Sequence, residues 1–214
     1  MIFQFNRKQV FLAIIVVFLS VQLLGLYTGY LYLQYIKTGE LQPIFENPND
    51  ISNSFLLLFY ILLMTGVILL IIRFKKGLLR VLEAVAVFFT SDIVFELMIP
   101  YGIGIIPIGA VLAFLLTAWK IFRPTLLSQD IALVFSVAGA GALIGASFGV
   151  IPVIVFILLL SIYDFISVFY TKHMVYMAKA ITERPMAFTA AFPVKDKLEE
   201  KGKRREFQHV FQLG

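Results

Sequence analysis

Thirteen acidic residues occur among the 214 of this chain, and the informative ones stand where a charge is expensive. A charged side chain at membrane depth costs roughly 2.5–3.5 kcal/mol on insertion scales, so every acid inside an apolar run needs a reason. Asp164 is the clearest case. It lies within Ile162, Tyr163, Asp164, Phe165 and Ile166, about two helical turns before Lys172. A carboxyl there can hydrogen-bond a neighbouring helix, or it can exchange a proton, as acid–base catalysis and coupled transport both require. Glu83, Asp92 and Glu96 share another apolar run. Glu83 is close to Arg80, and Asp92 and Glu96 are four apart near the far end, so snorkelling or a rim position is expected of them. Asp130 stands before a further run, where a carboxylate complements a helix N-terminus. His173 and His209 are too far apart to suggest a metal site. With no Cys and no His-Glu-x-x-His, thiol chemistry and that metallohydrolase motif are absent, and neither a metal nor an organic cofactor is implied.

The elements that must position these residues follow from composition. Sixty per cent of the residues are hydrophobic and 14% charged, with mean hydropathy +0.93, whereas soluble domains carry about 25% charged residues. The chain reads as an integral membrane protein of the all-α class. Its apolar stretches are continuous rather than alternating, which favours helices over a barrel. Six spans are expected, Val10 to Tyr35, Phe55 to Ile72, Leu78 to Met98, Ile103 to Phe122, Ile131 to Phe148 and Val150 to Tyr170. They form a single transmembrane domain over 1–214, in which 171–214 is a cytoplasmic loop or tail.

The basic residues test that count. If the N-terminus is cytoplasmic, 17 of the 18 Lys and Arg residues fall in inside segments, as the positive-inside tendency requires. They are Arg7 and Lys8; Arg73, Lys75, Lys76 and Arg80; Lys120 and Arg123; and the series from Lys172 to Arg205. Lys37 alone lies outside, beside Glu40, Glu46 and Asp50. Both ends are then cytoplasmic. The net charge of +5 is explained by topology, so nucleic-acid binding is not expected, and anionic lipid is a secondary attraction for Lys195 to Arg205. The fifth span interleaves Gly139, Gly141, Gly145 and Gly149 with alanines. Gly141 and Gly145, four apart, are expected to let another helix approach closely.

Ser161 to Phe165, with Lys172, His173, Met174, Ala178, Lys179, Glu183, Arg184 and the later Phe192 and Pro193, resembles the sixth span and following loop of the presenilin and signal peptide peptidase family, most closely its archaeal members. The resemblance implies an intramembrane aspartyl protease that cleaves transmembrane helices. It implies Asp164 as one catalytic aspartate and Tyr163 as its support, by packing or hydrogen bonding. A second aspartate would come from a Gly-x-Gly-Asp motif in a seventh span, and a Pro-Ala-Leu motif in the ninth would help form the site. Neither motif occurs between Met1 and Gly214. The expectation is therefore an N-terminal portion, with Leu213 and Gly214 opening the missing motif and a C-terminal half as partner. A lone, desolvated Asp164 would be a poor base, so the chain alone should be inactive.

Two rivals remain. A solute or ion transporter would titrate Asp164 during transport and use the glycine-rich fifth span for rocking, although no internal repeat is visible. A noncatalytic scaffold would leave the acid at membrane depth unexplained. The expected location is the cell membrane of a prokaryote.

Overall fold

The computed structural model describes residues 7–74, 77–99, 102–103, 106–182, 189–191 and 210–212. Lys75, Lys76, Pro100, Glu183, Arg184, Phe192, Pro193, the stretch Lys195 to Arg205, His209, Leu213 and Gly214 lie outside them. Each expected span contains a helix: α1 Arg7–Thr38, α2 Ser52–Phe74, α3 Leu78–Met98, α4 Ile108–Phe122, which begins five residues later than the expected Ile103, α5 Leu126–Ser147 and α6 Val150–Phe165, the last continued by a π-turn, Ile166–Tyr170, and by α7, His173–Thr182. Two short antiparallel pairs accompany the helices. Gly102–Ile103 (β1) pairs with Ile106–Pro107 (β2) before α4, and Thr189–Ala191 (β3) with Val210–Gln212 (β4).

Four helical segments are long and apolar enough to cross a membrane: Phe11–Thr38, Ser52–Phe74, Leu126–Ser147 and Val150–Tyr170. The other two fall short for separate reasons. α3 is 21 residues long but carries Arg80, Glu83, Asp92 and Glu96. α4 has 15 residues and would span about 22 Å, against a hydrocarbon layer of about 30 Å.

Large apolar side chains such as Phe11, Leu23, Leu26, Phe59 and Ile151 point outward, while much of the buried interior is small or polar. That inversion suits lipid, where helices gain by close backbone approach rather than by hiding hydrocarbon. Serine and threonine hydroxyls donate to carbonyls one turn back, as in Thr90 to Ala86 (2.6 Å), Ser91 to Val87 (2.6 Å) and Thr117 to Ala113 (2.8 Å), which satisfies them without water.

α5 is the centre. A Cβ on Gly25 of α1 would sit 3.6 Å from Ala138, and one on Gly29 would sit 3.7 Å from Ala142. On its other side, Gly139 meets the Thr90 carbonyl of α3 so closely that a Cβ has no room. Phe95 and Phe135 stack at 4.6 Å, and Val87 packs on Ala132. α4 closes on α3 at Gly109, where a Cβ would come within 2.7 Å of the Glu96 backbone nitrogen.

Four sequence expectations change here. A Cβ on Gly141 or Gly145 would meet nothing within 4 Å. Residues two apart on a helix differ by about 200° in direction, so when Gly139 faces α3, Gly141 faces away. Gly141 and Gly145 instead line an open furrow of about 480 Å³ between α1 and α5. Gly149 is not on that face at all; it follows α5, donates its N–H to the Pro48 carbonyl (2.7 Å) and leaves no space beside Asn49 for a side chain. The cap of α5 is Thr125, which exchanges hydrogen bonds with Ser128 in a capping box, so Asp130 lies inside the helix with one carboxylate oxygen enclosed and unpartnered among the described residues. Glu83 neither snorkels nor sits at a rim. It is buried in an ion pair with Lys120, itself in the last turn of α4 rather than in a loop.

The segment between α1 and α2 seats on the α5–α6 turn. Phe45 meets Phe148 edge to face at 5.0 Å, and the Ile44 N–H donates to Ser147 Oγ at 3.3 Å. At its end Asp50 accepts the Ser52 N–H (2.9 Å). Hydrogen bonds from Ser52 hold the Asp50 carboxyl below the usual carboxylate range.

Candidate active site

α2 and α6 run side by side, joined by two side-chain hydrogen bonds. Ser54 Oγ donates to the Pro152 carbonyl at 2.7 Å, and the Tyr163 hydroxyl donates to Thr65 Oγ1 at 3.2 Å. From 54 to 65 and from 152 to 163 both helices advance by the same number of residues, so the ties lie roughly 16 Å apart on parallel axes. Two such points fix both the slide and the rotation of α6 on α2.

Immediately after Asp164 the helix changes its period. The Thr171 N–H reaches back five residues to the Ile166 carbonyl at 3.0 Å. Lys172 then takes a left-handed conformation, with φ 54°, uncommon for a residue with a side chain, and α7 departs in a new direction. Ser167, fully buried, holds the joint by donating to the Asp164 carbonyl (3.0 Å), and its hydroxyl also lies 3.4 Å from Met174 Sδ. Met177 of α7 packs against the cluster of Ile72 and Leu79 at the α2–α3 junction. Widened π-turns occur often at functional sites.

Asp164 occupies the penultimate position of α6. Its side chain is half-buried and makes no hydrogen bond or ion pair among the described residues, which leaves both carboxylate oxygens available. Tyr163 points elsewhere: besides Thr65, its hydroxyl lies 3.1 Å from His173 Nε2, and His173 Nδ1 contacts the Thr171 hydroxyl. From sequence alone neither His173 nor Thr65 carries an assigned role beside Asp164. A signal for Thr65 was present, since it is the one hydroxyl-bearing Thr or Ser between Phe55 and Ile72.

The structure brings no other described carboxylate into a hydrogen bond with Asp164. Asp92 is half-buried, with one oxygen enclosed and unpartnered among the described residues. Glu96 is exposed. Both sit on α3, whereas α6 packs chiefly on α2 and its own π-turn. No cluster of three or more potential metal ligands occurs among the described residues.

The family model for signal-peptide peptidase, presenilin aspartyl protease, matches residues 13–214. The chain belongs to this family. Comparison with curated proteins gives no match, and comparison with solved structures gives none. Membership in the signal-peptide peptidase and presenilin family, together with the four apolar helices, makes the chain an integral membrane protein of an intramembrane protease family.

Proposed function

We propose that Asp164 is one of the two catalytic carboxylates of an intramembrane aspartyl protease acting on transmembrane helices, and that Tyr163 supports it through the hydrogen bonds to α2 and α7. The observation that carries the reading is a half-buried carboxyl with no hydrogen-bond or ion-pair partner among the described residues, set where α6 gives way to a π-turn, in a chain of this family. Peptide hydrolysis by this chemistry needs two carboxyls. One, ionised, takes a proton from water as the oxygen attacks the scissile carbonyl; the other, protonated, donates to the carbonyl oxygen. Neighbouring carboxyls divide these roles because both cannot ionise at once.

Met1 to Gly214 contains no Gly-x-Gly-Asp and no Pro-Ala-Leu, so the second aspartate is proposed to come from residues outside this stretch. Six spans, in one transmembrane domain with both ends of the chain cytoplasmic, fit the placement of basic residues. They put Asp164 toward the cytoplasmic side of a prokaryotic cell membrane. α3 and α4 would cross as a closely packed pair, their charges offset by the Glu83–Lys120 ion pair.

Cleavage by the purified chain, alone and with a polypeptide carrying Gly-x-Gly-Asp, tests the reading. The chain alone should leave a helical membrane substrate intact from pH 4 to pH 9 (roughly the range over which carboxyls and histidine titrate). Once co-purification shows association, the pair should cleave it, because the chemistry needs proximity rather than one continuous backbone. Cleavage by the chain alone would contradict the two-carboxyl account. Solute flux without cleavage would favour a transporter.

A further inference from the structure

Tyr163 and Asp164 are adjacent, so any rotation of the last turn of α6 that moves one moves the other. That turn is weakly held by its own helix. Below it the α-helical ladder ends, the Ile166 N–H is shared between the Ile162 and Tyr163 carbonyls, and the π-turn begins. What holds the turn from outside is a line of polar groups from three elements: Thr65 on α2, Tyr163 on α6 and His173 at the start of α7. One assignment of protons lets every member take part. The Thr171 hydroxyl donates to His173 Nδ1, His173 Nε2–H donates to the Tyr163 oxygen, and the Tyr163 O–H donates to Thr65 Oγ1. Each hydroxyl and ring nitrogen of the line then has a partner.

We propose that Thr65 and His173 are positioning residues, which act through the Tyr163 hydroxyl to fix the rotation of the end of α6 and so the direction of the Asp164 carboxyl. The inference rests on the catalytic reading of Asp164. Neither residue touches the reacting atoms. α7 is then more than a connection: by placing His173 against Tyr163 it couples the segment after the left-handed Lys172 to the geometry of the site. The tie at Ser54–Pro152, at the far end of the same helix pair, fixes the slide of α6 but leaves its lower end free to turn if the Tyr163 line is cut.

The test uses the catalytically competent assembly and five variants: Thr65→Val, which keeps the shape without the hydroxyl, Tyr163→Phe, His173→Ala, His173→Gln, and Tyr163→Phe combined with His173→Ala. Each single loss should lower kcat about tenfold and leave KM within about twofold, because substrate binding is kept while orientation is lost. The combined variant should be no worse than the worse single one, since both remove the same line. His173→Gln, whose amide can still reach the hydroxyl, should recover about a third of the wild-type kcat or more. A second readout needs no cleavage: in an Asp164→Cys background, Tyr163→Phe should change the alkylation rate at position 164 at least about threefold, by turning the side chain. Unchanged kcat in Thr65→Val and His173→Ala, or losses that multiply to about a hundredfold in the combined variant, would overturn the proposal. Full cleavage by Asp164→Asn would instead remove the catalytic reading, and the alkylation rate would then decide positioning by itself.

Discussion

At the scale of single residues, the account depends on which small or charged side chains face a neighbour. Gly139→Ala places a methyl against the Thr90 backbone carbonyl, which a flexible side chain cannot relieve, and should cost about 1–3 kcal/mol as overpacking. Gly141→Ala points into open space and should be neutral or stabilising by up to about 1 kcal/mol, since alanine is the better helix former. Thermal unfolding in detergent separates the two; equal midpoints would contradict the assigned rotation of α5. Lys120→Met should destabilise by about 3–5 kcal/mol, the usual cost of leaving one member of a buried pair behind, and adding Glu83→Gln should return part of that loss. No loss in the single variant would mean the pair is not enclosed as described. Asp164 was legible in the sequence because a carboxyl in an apolar helix is costly wherever its neighbours lie. The Glu83–Lys120 pair was not legible, because it depends on the register of α3 against α4. For the same reason Gly139 and Gly141 look alike in the sequence and only the rotation of the helix tells them apart.

At the scale of elements, the helices themselves were readable. α3 has the expected bounds, Leu78–Met98, since breakers flank its apolar run, while α5 begins at Leu126, five residues earlier than its apolar pattern suggested. Polar Ser128, Gln129 and Asp130 disguised that first turn as a loop, although Thr125 and Ser128 form the reciprocal cap that starts it. The π-turn and the positive φ at Lys172 carry no periodic signal and had to be seen. The start of α2 offers a pH test. The folded-state pKa of Asp50 is lowered by hydrogen bonds from Ser52, so its contribution is present above the unfolded value of about 3.9 and is lost as pH falls through the lower folded value. Amide protection factors in the first turn of α2 should fall as pH is taken from 5 to 2 (a window of about three units around that carboxyl), and Asp50→Ala should show the low value throughout. Protection that is equal at both ends of the titration in wild type would contradict the role of Asp50.

At the scale of the whole molecule, two groupings emerge: α1, α3 and α4 around α5, and α2 with α6 and α7. The second carries Asp164, and its packing leaves much of α6 exposed, with Val150, Ile154, Leu158, Ile162 and Phe165 uncovered. Composition made the membrane class plain, and a short stretch of residues around Asp164 pointed to the family that the match over residues 13–214 shows. The grouping of helices was out of reach, because in lipid the interfaces are chosen by small residues and isolated hydroxyls rather than by broad apolar faces. The proposed topology predicts that a Cys placed at Lys203 is shielded from an impermeant reagent in intact cells, while one at Glu46 reacts; labelling at 203 would reverse the orientation. The central claim is tested most directly by cleavage of a helical membrane substrate by the assembled protease carrying Asp164→Asn, with Asp92→Asn as its control and association of the parts verified in both. Asn keeps the shape of Asp but cannot ionise, so the account predicts no product from Asp164→Asn and near wild-type product from Asp92→Asn. Full cleavage by Asp164→Asn would contradict it.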